Sequence, residues 1–329
     1  MKQRYFLQIG LIVALGILNL LNSKAFAQSP YPIKPIKIIV GFAPGSSSDV
    51  AARVIGEKVG QILGQSVIVE NKPGGSSNVA AKLVSSSSPD GYTLYLSTVA
   101  NVINTVAKGS SEIDLSKDLS TVSMIGSVPN ILVVHPSLGV NSVNELIQLL
   151  KSKPNEIAYA SAGNGTALHM AAMLFSMMAD VQMIHVPYQG SNAAMTDLLA
   201  GRTSVMFVPA STVMQYVQTG KLKALASTGL KRAFVAPDIA TLNELGLSGF
   251  ESTVWFGLMS PLGLPEPIQK ALNKAIDTAI QSPEVQAQFK LQGIESSYLN
   301  NKDFAAYIKS ENDKWTRVIK NSNIKLYAN

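Results

Sequence analysis

Two segments of this chain, 120 residues apart, place the same residue types in the same order. Residues 38–49 pass from branched apolar residues, through a turn rich in glycine and serine, into a helical pattern. Residues 157–169 do the same through a turn around Gly163 and Gly165. Each pattern predicts a buried strand, a turn and a helix N-terminus, where free backbone N–H groups and the helix dipole favour an anion. One such loop is common in α/β proteins without a ligand, but two of them indicate a two-sided site for an anionic small molecule.

Strand-like and helix-like patterns alternate along nearly the whole chain, which predicts the α/β class with parallel strands. The predicted strands are 36–41, 66–70, 93–97, 131–135, 157–160, 182–186, 203–208 and 224–227. The predicted helices are 49–63, 76–85, 143–151, 167–178, 191–200, 212–218, 266–279, 283–292 and 301–320. The length of 329 residues exceeds what one hydrophobic core normally holds, so we expect two domains.

The alternation is interrupted twice, at Val122–Pro129 and at Trp255–Gly263. If both interruptions are crossovers, residues 129–256 form one lobe, and residues 28–128 with 257–329 form the other. This arrangement predicts a two-lobed clamp of the periplasmic-binding-protein (Venus-flytrap, type II-like) kind. Its cleft would lie at the carboxyl ends of the parallel strands, where both glycine-containing loops fall.

The N-terminal residues 1–27 have the pattern of a cleavable signal peptide. Lys2 and Arg4 precede an apolar run, and Ala25-Phe26-Ala27 fits the small-x-small cleavage pattern. The alternative is an uncleaved membrane anchor, although the run is short for a bilayer span. The chain has no cysteine, which excludes a lipidated cysteine after the signal and a thiolate zinc site. These features predict export to the periplasm.

Charge does not indicate a nucleic-acid partner. The net charge of +6 includes three basic residues of the predicted signal peptide, so the mature chain carries +3. The remaining lysines are scattered and form no basic run interleaved with aromatic residues.

The candidate ligand contacts of the first loop are Phe42, Ala43, Pro44, Gly45, Ser46, Ser47 and Asp49. Asp49 either caps the following helix or accepts a hydrogen bond from a ligand ammonium group or a water. Phe42 either belongs to the core or forms a wall of the pocket. The sequence leaves both pairs of alternatives open.

The second loop contributes the candidates Ser161, Gly165, Thr166 and His169. Thr166 is a predicted N-cap, and His169 lies three residues later on the same side of the helix. His169 either faces the ligand or has a purely structural role. Further candidates are Tyr188, Gln189 and Gly190 in a third strand-to-helix loop. This loop either contacts the ligand or is only a tight connection. Ser76 and Thr98, near the ends of two other predicted strands, complete the set.

Enzymatic motifs are missing from the sequence. There is no Gly-x-Ser-x-Gly elbow and no phosphate-binding P-loop, and the three histidines show no paired metal spacing. A dinucleotide fingerprint beginning at Gly163 fails, because Leu168 stands where the third glycine is needed. No metal or cofactor is therefore expected. An exported serine hydrolase that uses Ser46, Ser47 or Ser161 with His169 remains the alternative function.

The whole mature chain resembles the extracytoplasmic solute receptors of tripartite tricarboxylate transporters, the Bug receptor family. The matching segments, in chain order, are Tyr31-Pro32, Val40–Gly45 with Asp49, Val69–Gly74, Pro89–Leu94, Gly163-x-Gly165-Thr166 with His169, Val186–Gly190 and Gly220–Ala226. The resemblance implies a periplasmic receptor of the Venus-flytrap fold that delivers a small organic carboxylate to membrane permease subunits. We also expect a monomer without enzymatic activity.

In that family the first two loops hold a ligand carboxylate through main-chain amides, hydroxyl groups and ordered waters. The chain departs from the family pattern at two places. Ser46 replaces the second glycine that usually follows Pro-Gly, which implies a narrower pocket. The segment Val208–Ser211 lacks a common acidic residue, which argues against recognition of an amine there.

Overall fold

The computed structural model describes residues 31–108 and 113–321. Every element below lies in one compact unit that begins at Lys34. The predicted signal peptide, residues 1–27, lies outside the described residues. Among those described, no helix is both long enough and apolar enough to cross a membrane.

The described strands are β1 (Ile36–Val40), β2 (Val67–Asn71), β3 (Thr93–Thr98), β4 (Leu119–Val134), β5 (Ala158–Ser161), β6 (Ile184–Pro187), β7 (Val205–Pro209), β8 (Lys223–Ser227), β9 (Thr253–Pro261) and β10 (Glu295–Leu299). The described α-helices are α1 (Ser47–Leu63), α2 (Asn78–Ser85), α3 (Val99–Lys108), α4 (Leu115–Asp118), α5 (Val143–Ser152), α6 (Ala167–Ala179), α7 (Ser191–Leu199), α8 (Ala210–Gln218), α9 (Glu266–Gln281), α10 (Pro283–Leu291) and α11 (Asn301–Asn321).

The strands pair in the order β2-β1-β3-β9-β4-β7-β5-β6, and β8 and β10 also pair with β4. β1, β2 and β3 are mutually parallel at one end, and β5, β6 and β7 are parallel at the other. β4 belongs to both ends: residues 119–129 pair with β9, and residues 130–134 pair with β7. One long strand therefore connects two parallel α/β halves.

The carboxyl ends of both sets of parallel strands lie near the place where β4 passes from one half to the other. In one half, Thr98 at the end of β3 is opposite Phe256 of β9. The first residue of β9, Thr253, is opposite Pro129 of β4. In the other half, the next residue of β4, Asn130, is opposite Pro209 at the end of β7. The strand-to-helix loops of both halves therefore emerge beside this passage.

The long C-terminal helix α11 packs against α3 and β4 and closes part of the core. The backbone of β9 approaches this helix closely, because a Cβ atom on Gly257 would lie 2.0 Å from the ring of Phe304. Glu311 is buried in α11 and accepts hydrogen bonds from the indole N–H groups of Trp255 (3.0 Å) and Trp315 (3.1 Å). Lys314 forms an ion pair with the other carboxylate oxygen, so both oxygens of this buried group have donors.

The strands and helices predicted from hydrophobic periodicity are confirmed with ends within two residues, except that the strand predicted at 131–135 is the last part of the longer β4. Two antiparallel strands interrupt the predicted alternation: Val122–Pro129 lies within β4, and Trp255–Pro261 lies within β9. β4 is almost continuously buried and contains register shifts between Thr121 and Ser123 and between Met124 and Gly126, so it shows no regular alternation. Helices α3 and α4, strands β9 and β10, and the part of β4 before Ile131 were not predicted.

Candidate functional site

The first loop, residues 42–49, ends in a capped helix N-terminus. The Oγ atom of Ser46 accepts a hydrogen bond from the Asp49 N–H at 3.3 Å, which makes Ser46 the N-cap of α1. The Asp49 carboxylate in turn accepts from the Gly45 N–H at 2.9 Å. Gly45 has a φ of +80°, which glycine adopts without strain. The loop is therefore closed on itself by two reciprocal side-chain contacts.

The Asp49 carboxylate is also bound by two side chains from neighbouring elements. Arg53, one helical turn later, donates from Nε at 3.0 Å, and Asn71 at the end of β2 donates from Nδ2 at 2.8 Å. Burial alone would raise the pKa of Asp49, but hydrogen bonds from Arg53, Gly45 and Asn71 hold it below the usual range. These contacts are the ones that the capping role requires of Asp49.

The second loop, residues 161–169, has the same construction. Thr166 is the N-cap of α6, and its Oγ1 accepts from the His169 N–H at 3.4 Å. The Nδ1 atom of His169 accepts from the Gly165 N–H at 3.0 Å, and Gly165 has a φ of +70°. Thr166 has φ −72° and ψ 158°, close to the −68° and 158° of Ser46. His169 thus occupies the place that Asp49 has in the first loop.

Both loops leave the same backbone donors free. The N–H groups of Ser47 and Ser48 at the start of α1, and of Ala167 and Leu168 at the start of α6, have no acceptor among the described residues. The first N–H groups of a helix have no intrahelical partner and lie at the positive end of its dipole. Each loop therefore presents two backbone donors that suit an anion.

His169 is buried in a stack of aromatic rings. Its ring is nearly parallel to that of His185, with 3.9 Å between the ring centroids. The ring of Tyr159 stacks on His185 in turn, at 4.8 Å. Burial, together with the neighbouring His185, lowers the pKa of His169 to about 3, so the imidazole is neutral. Since Nδ1 accepts from Gly165, the proton is on Nε2, which has no partner within the described part of the chain.

The third loop, which follows β6, contacts an ion pair at the C-terminal end of α7. The hydroxyl of Tyr188 donates to Asp197 at 2.6 Å, and Asp197 also binds Arg202. Burial and the neighbouring Asp197 raise the pKa of Tyr188 to about 12. Gly190 begins α7 with a φ of +105° and no side-chain cap, and Gln189 is exposed. These contacts of Tyr188 match the tight strand-to-helix connection.

Thr98 and Ser76 lie at the carboxyl ends of β3 and β2. Thr98 is buried, its Oγ1 accepts from the Ala100 N–H at 3.2 Å, and its own N–H donates to Asn101 at 3.1 Å. Thr98 therefore caps α3. Ser76 lies in the short 3-10 turn Gly75–Ser77.

All the predicted site residues lie at the carboxyl ends of parallel strands or in the loops and first helical turns that follow them. Ala43, Pro44 and Ser47 are exposed, Phe42 and Ser46 are half-buried, and Asp49, Ser161, Gly165 and His169 are buried. The structure gives internal hydrogen-bond partners to Asp49, Thr166 and Tyr188. That any of these residues contacts a ligand stays a prediction.

Three residues that organise these loops were not predicted as site residues: Arg53, Asn71 and His185. Asn71 stands in the matched segment Val69–Gly74, directly after a strand, and this position was the available signal. Nothing in the sequence pairs His185 with His169, because the two rings meet only across neighbouring elements.

Comparison with known proteins gives a consistent result. The family model "Tripartite tricarboxylate transporter family receptor" matches residues 51–324. The protein BugT of Bordetella pertussis is 33% identical over 298 residues, which cover 90% of this chain and 91% of BugT. A TctC solute-binding protein from Polaromonas has a TM-score of 0.79 at 26% identity, over 88% of this chain and 99% of that one. The predicted two-lobed α/β fold and the family resemblance are confirmed.

Two similar solved structures contain carboxylates. One is a Rhodopseudomonas palustris protein with adipate, 29% identical with a TM-score of 0.74 over 88% of this chain and 97% of that one. The other is MatC of the same organism with bound malate, 26% identical with a TM-score of 0.71 over 88% of this chain and 100% of that one. The chain therefore belongs to the tripartite tricarboxylate transporter receptor (TctC) family, a family of periplasmic solute receptors.

Proposed function

We propose that this protein captures a small organic carboxylate between its two lobes and delivers it to the membrane permease subunits of a tripartite tricarboxylate-type transporter. The observation that carries the proposal is the pair of matching loops, each with two free N–H groups at a helix N-terminus. These four donors belong to Ser47, Ser48, Ala167 and Leu168.

The electrostatics of the loops favour an anion without a cationic side chain. Both helix ends contribute partial positive charge. The acid in the first loop, Asp49, is compensated by Arg53, whose NH2 group lies 2.9 Å from the carboxylate. The corresponding residue of the second loop, His169, is neutral. A carboxylate at the loops would therefore meet hydrogen-bond donors and little opposing charge.

We propose lobes that follow the two halves of the sheet, 28–128 with 257–329 and 129–256. The pairing of Pro129 with β9 and of Asn130 with β7 supports the first crossing. On the return, β9 begins its pairing with β4 at Thr253, opposite Pro129, which supports a second crossing in this segment of the chain. A ligand between the lobes would stabilise the closed arrangement by its higher affinity for that state.

We also propose that the protein is a monomer, exported through a cleavable signal peptide at residues 1–27, that acts without metal, cofactor, nucleic acid or catalysis. The family and its periplasmic members support export. Mass spectrometry of the protein from the periplasmic fraction would test the cleavage, with a mature chain beginning at Gln28 as the expected result.

One contact favours the alternative of a serine hydrolase. Ser161 Oγ lies 2.6 Å from His185 Nε2, so the imidazole nearest to a loop serine belongs to His185 and not to His169. Ser161 is fully buried, however, which is unfavourable for a nucleophile. A fluorophosphonate probe separates the two functions. A receptor stays unlabelled, whereas labelling that is lost in Ser161→Ala would establish a hydrolase.

Isothermal titration tests the receptor function directly. The protein is unfolded, dialysed and refolded to remove any retained ligand, and is then titrated with adipate, malate, citrate, monocarboxylates and acidic amino acids. We expect saturable binding of at least one carboxylate. Absence of binding across the panel, with the refolded protein shown to be native by circular dichroism, would refute the proposal.

A further inference from the structure

The first loop is tied to its neighbouring strand by one side chain. Asn71 is the last residue of β2, opposite Val40 of β1. Its Nδ2 group lies 3.0 Å from the carbonyl oxygen of Phe42, at the beginning of the loop, and 2.8 Å from Asp49 at its end. Its Oδ1 atom accepts from Arg53 at 3.1 Å. Asn71 therefore joins the two ends of the first loop.

The second loop is tied in the same way by a chemically different residue. His185 belongs to β6, the strand next to β5. Its Nε2 lies 2.6 Å from Ser161 Oγ at the beginning of the loop, and its ring stacks at 3.9 Å on His169 at the end. Ser161 Oγ also accepts from the Gly163 N–H at 3.1 Å. His185 therefore also joins the two ends of its loop.

We propose that Asn71 and His185 are positioning residues, one for each loop, which fix the orientation of the free N–H groups without contacting the ligand. This inference rests on the proposed function of the loops. In each half, a side chain from the adjacent parallel strand holds the residue three positions after the N-cap, which is Asp49 or His169. That residue in turn holds the glycine N–H just before the cap.

The physical reason for such contacts is preorganisation. Backbone donors bind an anion tightly when they already have the bound geometry, because a mobile loop must lose conformational entropy on binding. Precise sites need supporting residues that lock the contacting groups. The same arrangement is reached with an amide in one half and an imidazole in the other, so the shared feature is the geometry and not the residue type.

The test uses Asn71→Ala and His185→Ala, each with a matched control on a contact outside the loops. Asn243→Ala removes another asparagine that holds a glycine N–H, at 2.8 Å from Gly249. His135→Ala removes another imidazole bound to a serine, Ser137 at 2.7 Å, beside the amino end of β7 and so at the other end of the strands from the loops. Amide hydrogen exchange is followed in peptides that cover residues 41–49 and 161–169.

We expect each substitution to act on its own loop. Asn71→Ala should speed exchange about tenfold in 41–49 alone, and His185→Ala should do so in 161–169 alone, as expected for the loss of about one hydrogen bond. The Kd for adipate or malate should rise by a similar factor. The conservative His185→Gln, which places a side-chain nitrogen toward Ser161, should restore part of both properties. Neither control should change exchange in the loops or the Kd.

Two results would overturn the inference. One is unchanged exchange in the adjacent loop. The other is faster exchange throughout the protein with a matching fall in the thermal midpoint, which would mean a general structural role. If the wild-type protein binds no carboxylate, the proposed function fails, and the exchange data still decide whether Asn71 and His185 hold the loops.

Discussion

Removing one backbone donor from a loop, without removing a side chain that matters, tests the central argument most directly. Ala167 is the first residue of α6, and its N–H has no acceptor in the described chain. Proline lacks this N–H and is well tolerated at the first position of a helix. The preceding residue, Thr166, already has φ −72° and ψ 158°, a conformation that a following proline permits. Ala167→Pro should therefore keep the helix and lose one donor.

The expected loss follows from the charge of the ligand. A hydrogen bond to a charged group contributes about 1.5–3 kcal/mol, so the Kd should rise roughly tenfold to a hundredfold. Isothermal titration of Ala167→Pro measures it, and Ala167→Ser, which keeps the N–H, is the control. Ser47→Pro is the equivalent change in the first loop, where the side chain is exposed. If both proline variants fold and bind with unchanged Kd, the backbone N–H groups do not hold the anion.

Three further changes have defined outcomes. His169 has a pKa of about 3 when folded, below the roughly 6.5 of an unfolded histidine, so the unfolded chain binds the proton first as the pH falls. The free energy of unfolding that comes from the neutral His169 is therefore complete above about pH 6.5 and falls by about 2 kcal/mol between pH 7 and pH 5. Urea unfolding at several pH values should give a flatter profile for His169→Asn than for the wild type. Parallel profiles would contradict the lowered pKa of His169. Gly257→Ala places a methyl group 2.0 Å from the buried Phe304 ring, so the free energy of unfolding in urea should fall by about 1–3 kcal/mol or more. A fall below about 0.5 kcal/mol would show that α11 moves to make room for the methyl group. Thr166→Val removes the N-cap of α6 and the hydrogen bond from Oγ1 to the Gly163 carbonyl at 2.8 Å. The free energy of unfolding of the unliganded protein should fall by about 1 kcal/mol. Unchanged stability would mean that the cap contributes nothing.

The sequence is sufficient to predict those parts of the fold in which one segment determines its own structure. The strand–turn–helix units around Gly45 and Gly165 are local, because cap, glycine and helix are close in the chain. Their predicted ends agree with the structure for this reason. The capping partners, Ser46 and Thr166, also follow from local rules.

The parts that were missed depend on contacts between distant segments. β4 and β9 contain serine, glycine and proline, and only their mutual pairing from Leu119 with Pro261 to Pro129 with Thr253 makes them strands. Asn71 and His185 have the same difficulty, since each acts on a loop that belongs to another strand. Asp49 is a similar case, because its contact with Asn71 joins distant parts of the chain and could not be predicted from the local pattern.

The position of β9 in the sheet has a consequence for the order in which the chain folds. β9 lies between β3 and β4, although it follows β3 by more than 150 residues in the sequence. When the chain becomes available from its N-terminus onward, β1, β2 and β3 cannot complete their half of the sheet before β9 is present. Until then β3 has an open edge that can pair with other chains. The strands of the other half, from Asn130 to Ser227, are continuous and can assemble first. Folding should therefore finish at the half that contains the N-terminus, after α11 has covered β9.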